Sequence, residues 1–255
     1  MQPSEIQELQ YNFPYHHLPL DQGGIWTVHR ALGWGFEYLP VLDTVLTFVG
    51  KAIPNPSGEE KILDFGCGDG RLIVEIFAKY KPLKCIVGVD ISGQALAYAQ
   101  AFTYGIRNVK FFRNIKEVVA TGDQFDVVVA MEVIEHIDPN DLPVVIDSIY
   151  TVMKPGGTFI VSVPTVNQPL NRKHYQHFSL KALQTVFGDR FHMDEARCIH
   201  KTGFLADLIR RAVVNRFFIL NYPPWVRLCT WFYKRFVKEA DEMTSANIIC
   251  RFRKV

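Results

Sequence analysis

The stretch that most constrains the fold is Asp64-Phe65-Gly66-Cys67-Gly68-Asp69-Gly70. It ends a short apolar run, Lys61-Ile62-Leu63-Asp64-Phe65, that reads as a strand. It opens Arg71 to Tyr80, where Leu72, Ile73, Ile76 and Phe77 share one face of a helix. Glycines between a strand and a helix permit a tight turn and close backbone approach to a ligand. The dinucleotide fingerprint G-x-G-x-x-G fails here, because Gly66 and Gly68 fit but the last position is Arg71.

Beyond the loop the chain alternates. Cys85 to Asp90, Val109 to Phe112, Phe125 to Ala130 and Thr158 to Val163 are apolar runs of strand length. Between them, Gln94 to Phe102, with Ser92 as a candidate cap, and Leu142 to Met153 read as helices. Lys154-Pro155-Gly156-Gly157 is a helix stop. Apolar strands alternating with helices imply a parallel sheet covered on both faces. Phe191 to Ile199 and Asn247 to Phe252 add two strands. The expected fold is α/β: a doubly wound, seven-stranded, mostly parallel sheet of Rossmann-like type. It carries an N-terminal helical cap and a helical insert before the last strand. The expected divisions are an aromatic-rich cap over 1–57, a ligand-binding core over 58–202, a basic amphipathic insert over 203–245 and the last core strand over 246–255.

An acid at the strand end, Asp64, suits a ligand with positive charge better than a pyrophosphate. Asp90, 20 residues after Gly70 at the end of the second strand, can accept both hydroxyls of a ribose. A cationic ligand with a ribose and no pyrophosphate suggests S-adenosylmethionine, whose carboxylate can meet N–H groups at a helix N-terminus. Ile62 to Gly70, Val87 to Ser92 and Met153 to Gly157 resemble three motifs of the class I S-adenosylmethionine-dependent methyltransferases, in order, across Gly58 to Pro164. The resemblance implies a methyltransferase with that donor. It places Asp64, Gly66, Cys67, Gly68, Gly70, Asp90, Ile91 and Met131 around the donor. The family often has an acid for the adenine amino group after the third strand; here Asn114 would accept that bond and Ile115 would pack on the ring.

Methyl transfer needs an aligned acceptor and, for a hydroxyl, a base. Such groups belong at the carboxyl ends of the strands. After the fourth strand, Glu132, Glu135 and His136 would share a helical turn, with His136 as candidate base or as a packing residue beside the donor. The E-x-x-E-H pattern is similar to that of ubiquinone-biosynthesis O-methyltransferases. After the fifth strand, His174 and His177 precede Ser179, a candidate cap, and are rival bases or parts of a self-bonded polar loop. Glu132, Glu135, His136 and His177 also resemble the metal site of small-RNA 2′-O-methyltransferases, which would make a divalent cation an unfavoured second cofactor.

Between Lys201 and Lys238 there are eight basic residues and one acid, Asp207, in a chain of net charge +2. Basic amphipathic helices with Trp225, Phe232 and Phe236 resemble interfacial membrane helices, or line a groove for an anionic acceptor, or merely cap the sheet. The aromatic leader Tyr11 to Pro19, with Trp26, Trp34 and Tyr38, is either a lid on the acceptor or packing on the domain. The five cysteines, with no C-x-x-C, read as reduced thiols. The start of the chain lacks a signal-peptide pattern, so a cytoplasmic location is expected, with contact at the inner membrane face through the insert. The expected activity is O-methylation of a small molecule, sugar or lipid-linked intermediate. Metal-assisted RNA methylation and a non-catalytic donor-binding adaptor are the alternatives. Neither a nucleic acid nor a protein partner is expected.

Overall fold

The computed structural model describes residues 20–21, 26–27, 30–213 and 222–255. The leader Tyr11 to Pro19 and the end of the expected helix, 214–221 with Arg216, lie outside the described residues. A two-residue ladder, β1 (Leu20–Asp21) and β2 (Trp26–Thr27), precedes helix α1 (Arg30–Ala52). Then follow β3 (Lys61–Phe65), α2 (Arg71–Tyr80), β4 (Cys85–Val89), α3 (Gly93–Phe102), β5 (Val109–Phe112) and α4 (Ile115–Thr121). The second half holds β6 (Phe125–Met131), α5 (Leu142–Val152), β7 (Met153–Pro164), α6 (Leu180–Phe187) and β8 (Phe191–Lys201). Helices α7 (Phe204–Val213) and α8 (Pro223–Phe236) precede β9 (Ser245–Lys254).

Seven strands form one sheet in the order β5-β4-β3-β6-β7-β9-β8. β5, β4, β3, β6 and β7 are parallel, and β9 runs antiparallel to both β7 and β8. The order reverses between β3 and β6, which opens a crevice at the carboxyl ends of those strands. The expected doubly wound, mostly parallel sheet is what the chain forms.

Strand alternation explains why both faces are covered. Leu63, Val87, Val128, Phe159 and Cys250 point to one core, shared with Val118 of α4, Ile146 of α5 and Leu183 of α6. Ile62, Ile86, Val127, Ile160 and Ile249 point to the other, shared with Ile73 of α2 and Leu96 of α3. Val45, Phe48 and Val49 of α1 are fully buried in this second core. The last part of the segment expected as a cap is thus one of the helices that cover the sheet.

Two expected boundaries move. The ladder of β7 begins at Met153 and shifts register before resuming at Thr158, so Lys154 to Gly157 form a bulged entry to the strand. The stretch after β5 folds into α4, with the Asn114 side chain accepting from Glu117 N as its cap. Ser92 and Ser179 cap α3 and α6 through Ala95 N and Ala182 N, as their positions suggested. All five cysteines are free, with Cys67, Cys229 and Cys250 buried.

Gly88 shows how tightly β4 lies against its neighbours. A Cβ there would sit 2.7 Å from Phe111 Cδ1 and 2.9 Å from Cys67 Sγ. Gly88→Ala is therefore expected to cost about 1–3 kcal/mol through overpacking, read as a lower urea midpoint at unchanged slope. An unchanged midpoint would mean that the neighbours give way freely.

Candidate active site

The donor loop is built by close approach. Gly66 lies at φ +75°, and a Cβ on it would stand 2.3 Å from Val133 Cγ2. The loop returns on β4, where Gly66 N and Cys67 N both donate to Val89 O. Asp90 ties the parts together: its Oδ2 accepts from Gly68 N at 2.9 Å and its Oδ1 from Ser92 N at 2.8 Å. Gly70 N donates to Cys67 O. The amides of Gly66, Cys67, Gly68 and Gly70 are thus all bonded within the protein. This narrows the expectation that the loop's N–H groups meet a ligand carboxylate.

Asp64 sits beneath this loop at the end of β3, 2% exposed. Its Oδ2 is buried without a hydrogen-bond partner. Burial, reinforced by the Asp90 and Asp69 charges, pushes its pKa up to about 8. An orphaned buried carboxyl below a glycine loop fits the positive end of S-adenosylmethionine, and Asp90 at the neighbouring strand end fits its ribose. Tyr38 of α1, half-buried against the second core, lies near enough that the Asp69 and Asp64 charges add to burial in raising its phenol. Its closeness to the donor loop had no local signal in the sequence.

The expected adenine end is open in part. Ile91 is 70% exposed at the rim, and Arg113 Nη2 donates to its carbonyl at 2.8 Å. Ile115 is buried in the core at the start of α4. The Asn114 amide oxygen is already engaged by Glu117 N, and its nitrogen donates to Glu117 Oε1, which weakens the case for Asn114 as the acceptor of the adenine amino group. Met131 ends β6, half-buried beside the second core.

At the end of β6 the expected helical turn is absent. Only Ile134 to His136 form a single 3₁₀ turn, and Glu132 precedes it at φ +56°. Glu132 is held by β7 and β9. Its N–H donates to Ser162 O and Oγ, Ser162 Oγ donates to Oε1 at 2.8 Å, and Asn247 Nδ2 donates to Oε2 at 3.1 Å. A positive φ at a non-glycine is strained, and these bonds over-determine it. Ser162, a lone hydroxyl inside an apolar strand, was a visible signal for this role; Asn247 was not.

Glu135 and His136 therefore do not share a face with Glu132 by helical spacing. Glu135 is 1% exposed, and neither of its carboxylate oxygens has a hydrogen-bond partner. Burial first, then the Glu132 charge, drives its pKa well above the carboxylate range. His136 Nε2 stands 3.7 Å from Glu135 Oε1, and His136 Nδ1 lies 2.8 Å from Lys173 O. Tyr175 N donates to Glu135 O, which brings the 171–178 loop against the 3₁₀ turn.

On that loop His174 Nδ1 lies 2.8 Å from His177 Nε2, and His177 Nδ1 lies 3.2 Å from Gln168 O. A carbonyl can only accept, so Nδ1–H of His136 and of His177 must donate. His177 Nε2 then carries a lone pair and accepts from Nδ1–H of His174. This chain leaves Nε2 of His136 and Nε2 of His174 as lone-pair nitrogens. The two rings meet edge to face with centroids 4.7 Å apart. Burial lowers the pKa of His136 to about 4 and, with the neighbouring imidazoles, that of His174 to about 3. Both are neutral at physiological pH. Among the described residues, the triad whose ligand atoms lie within 4.8 Å of one another is Glu135, His136 and His174. This corrects the expected quartet: His174 stands where His177 was expected, and Glu132 is committed to Ser162 and Asn247.

An open cleft of about 350 Å³ lies at the amino ends of β3, β6 and β7, among Ile53, Glu60, Asp126, Lys154 and Thr158, at the end of the sheet away from the glycine loop.

The buried Asp64 generates a pH prediction. Between its ordinary range near about 4 and its folded value of about 8, the folded chain keeps a proton that the unfolded chain releases. The donor-free protein therefore loses stability as pH rises across that window. Asp64→Asn is expected to narrow that loss, so its Tm rises relative to wild type from pH 5 to pH 8. It is expected to weaken donor binding by about 10- to 150-fold, the about 1.5–3 kcal/mol of a hydrogen bond to a charged group. Parallel Tm curves with equal donor affinity would remove Asp64 from the site.

A family model described as a methyltransferase domain matches residues 36–204, well over half of the chain. The ubiquinone biosynthesis O-methyltransferase of Methylobacterium nodulans is 31% identical over 154 residues, 59% of this chain and 58% of that protein. Its counterpart from Bradyrhizobium sp. is 34% identical over 103 residues, 40% of this chain and 39% of that one. The chain thus spans little more than half the length of the first of these relatives and less of the second. Among solved structures, magnesium protoporphyrin IX methyltransferase from Synechocystis PCC 6803 with bound S-adenosylmethionine superposes with a TM-score of 0.59 at 13% identity, covering 100% of this chain and 98% of that one. The N-methyltransferase NodS from Bradyrhizobium japonicum, in complex with S-adenosylhomocysteine, gives 0.54 at 14% identity over 83% and 86% of the two chains. At these identities the superpositions speak for the fold alone, and the family model carries the assignment. The chain belongs to the methyltransferase-domain family, the class I S-adenosylmethionine-dependent methyltransferases.

Proposed function

We propose that the chain transfers the methyl group of S-adenosylmethionine to a hydroxyl of a small or lipid-linked molecule seated over His136 and His174. The observation that carries this reading is the pair of neutral imidazoles. Each is held by its Nδ1 hydrogen bond so that the Nε2 lone pair is left for an acceptor. The O-methyltransferase names of the curated relatives support a hydroxyl, whereas the solved neighbours include an N-methyltransferase and leave the acceptor atom open.

When bound, the donor supplies a methyl group on a sulfonium. Asp64 holds its positive end, and Asp90 keeps the glycine loop in place while meeting the ribose. Nε2 of His136 or His174 takes the hydroxyl proton as the carbon–oxygen bond forms. The carbon–sulfur bond breaks and sulfur keeps the electron pair. His177 acts through His174, whose tautomer it sets, rather than on the acceptor. With methyl-labelled donor and a panel of catechols, phenols, sugars and amines, label is expected in hydroxyl acceptors. His136→Ala is expected to lower kcat by about 10²–10⁴-fold at unchanged donor affinity. Transfer to amines alone, or an undisturbed kcat in that variant, would overturn the reading.

The insert favours a lipid-linked acceptor. Cys229, Tyr233 and Val237 face inward, so the stripe of Leu228, Trp231, Phe232 and Phe236 faces outward. Phe204 is 82% exposed and Trp231 56% exposed, beside the exposed Arg227, Lys234 and Arg235. No helix among the described residues is long and apolar enough to cross a membrane. An outward apolar stripe flanked by cations suits an anionic lipid surface. Sedimentation with vesicles containing phosphatidylserine is expected to carry the protein down, less at high salt. The double variant W231S/F236S is expected to stay in the supernatant. Equal sedimentation of variant and wild type would leave the stripe without this role.

A further inference from the structure

We propose that Glu135, His136 and His174 form a three-ligand site for one divalent transition-metal ion of the zinc class, with an open position facing the acceptor. Three observations carry it, none of which needs the methyl-transfer reading. First, Glu135 is 1% exposed and both its oxygens lack a hydrogen-bond partner. A buried carboxylate with neither oxygen satisfied is costly unless a cation meets it. Lys173 influences it through space but makes no hydrogen bond to it.

Second, the imidazoles are arranged as metal ligands are. Metal-binding histidines present one nitrogen to the ion and donate the other N–H to a carbonyl or a neighbouring group, which fixes tautomer and ring orientation. His136 does so through Lys173 O, and His174 does so through His177, itself anchored on Gln168 O. The two hydrogen-bond chains leave an Nε2 lone pair on each ring, and that of His136 stands 3.7 Å from Glu135 Oε1.

Third, the spacing is close to that of a coordination sphere. Ligand atoms about 2.0–2.1 Å from a tetrahedral ion stand about 3.4 Å from each other. Glu135 Oε1 and His136 Nε2 are 3.7 Å apart, and all three ligand atoms fall within 4.8 Å of one another. Closing on an ion brings Glu135 and His136 about 0.3 Å nearer each other and His174 nearer by at most about 1.4 Å. Two imidazoles and one carboxylate suit zinc-class ions, whereas magnesium and calcium prefer all-oxygen sets. Three protein ligands leave a fourth position for water or an acceptor oxygen. What the ion does there rests on the reading of the chain as a hydroxyl methyltransferase: with both Nε2 lone pairs on the ion, neither imidazole is the base, and the ion would instead lower the pKa of the acceptor hydroxyl, whose proton then leaves to solvent.

The test separates the two readings. The full chain, stripped with chelator, is titrated with Co²⁺ and followed by visible absorption, then competed with Zn²⁺. Wild type is expected to take one Co²⁺ per chain with ligand-field bands of a four- or five-coordinate ion, displaced by Zn²⁺. His177→Ala is expected to weaken Co²⁺ binding by about 10–100-fold through loss of the ring's orientation. Glu135→Gln and His174→Ala are expected to abolish the bands. S-adenosylhomocysteine binding, which rests on Asp64 and Asp90 rather than on the three ligands, checks that each variant is folded. A wild type without bands overturns the proposal, as do bands that survive in folded Glu135→Gln and His174→Ala. Co²⁺ binding by a wild type that does not bind S-adenosylhomocysteine would count against the methyltransferase reading and leave the metal site standing.

Discussion

The donor end of the sheet depends on close contact between backbone and side chain where no Cβ intervenes. Gly66 lets Val133 come within the space a side chain would fill, and Gly88 lets Phe111 and Cys67 do the same one strand over. These contacts draw the loop after β3, the end of β4 and the segment after β6 to one point. Asp90 then locks the arrangement by accepting from Gly68 N and Ser92 N at once. A carboxylate bonded to two backbone N–H groups joins a loop and a helix start that hydrophobic packing alone would leave free to slide.

Polar groups at this end are held at a cost to the fold. Asp64 and Glu135 are carboxyls in nearly complete burial, Asp64 with one oxygen unsatisfied and Glu135 with both. Glu132 carries a strained backbone stabilised by bonds from Ser162 and Asn247. Unsatisfied buried groups and strained residues concentrate where a site must be ready for a partner. The interior below them is apolar and closely packed, as in the Phe159–Phe187 pair with centroids 5.4 Å apart at 88°. That rigid floor is what can hold such groups in place.

The fold was legible in the sequence because strand and loop signals are local. The apolar runs Ile62 to Phe65 and Ile86 to Val89 alternate between two cores, and the glycines after Phe65 admit only a turn. The geometry of the glycine loop was legible for the same reason, since Asp64 and Asp90 sit at strand ends within a fixed spacing of the glycines. The cluster after β6 was only half legible. Glu135, His136, His174 and His177 could be singled out by type, but helical spacing placed Glu132 wrongly, and nothing in the sequence said which histidine would back the other. The outward stripe of α8 was also ambiguous, because Leu228, Phe232 and Phe236 have the same period whether they face the sheet or the solvent.

By itself the sequence determined the succession of the seven core strands, the mostly parallel character of the sheet and the glycine loop, since each follows from residue periodicity and from glycine at set positions. Only the tertiary structure decided what converges on the crevice: Tyr38 from α1, Ser162 from β7, Asn247 from β9 and His174 from the 171–178 loop. These residues are far apart along the chain. Their meeting is set by how the strands stack in the sheet and by hydrogen bonds such as Tyr175 N to Glu135 O. Tautomers and lone-pair directions follow from those neighbours, and no local pattern encodes them.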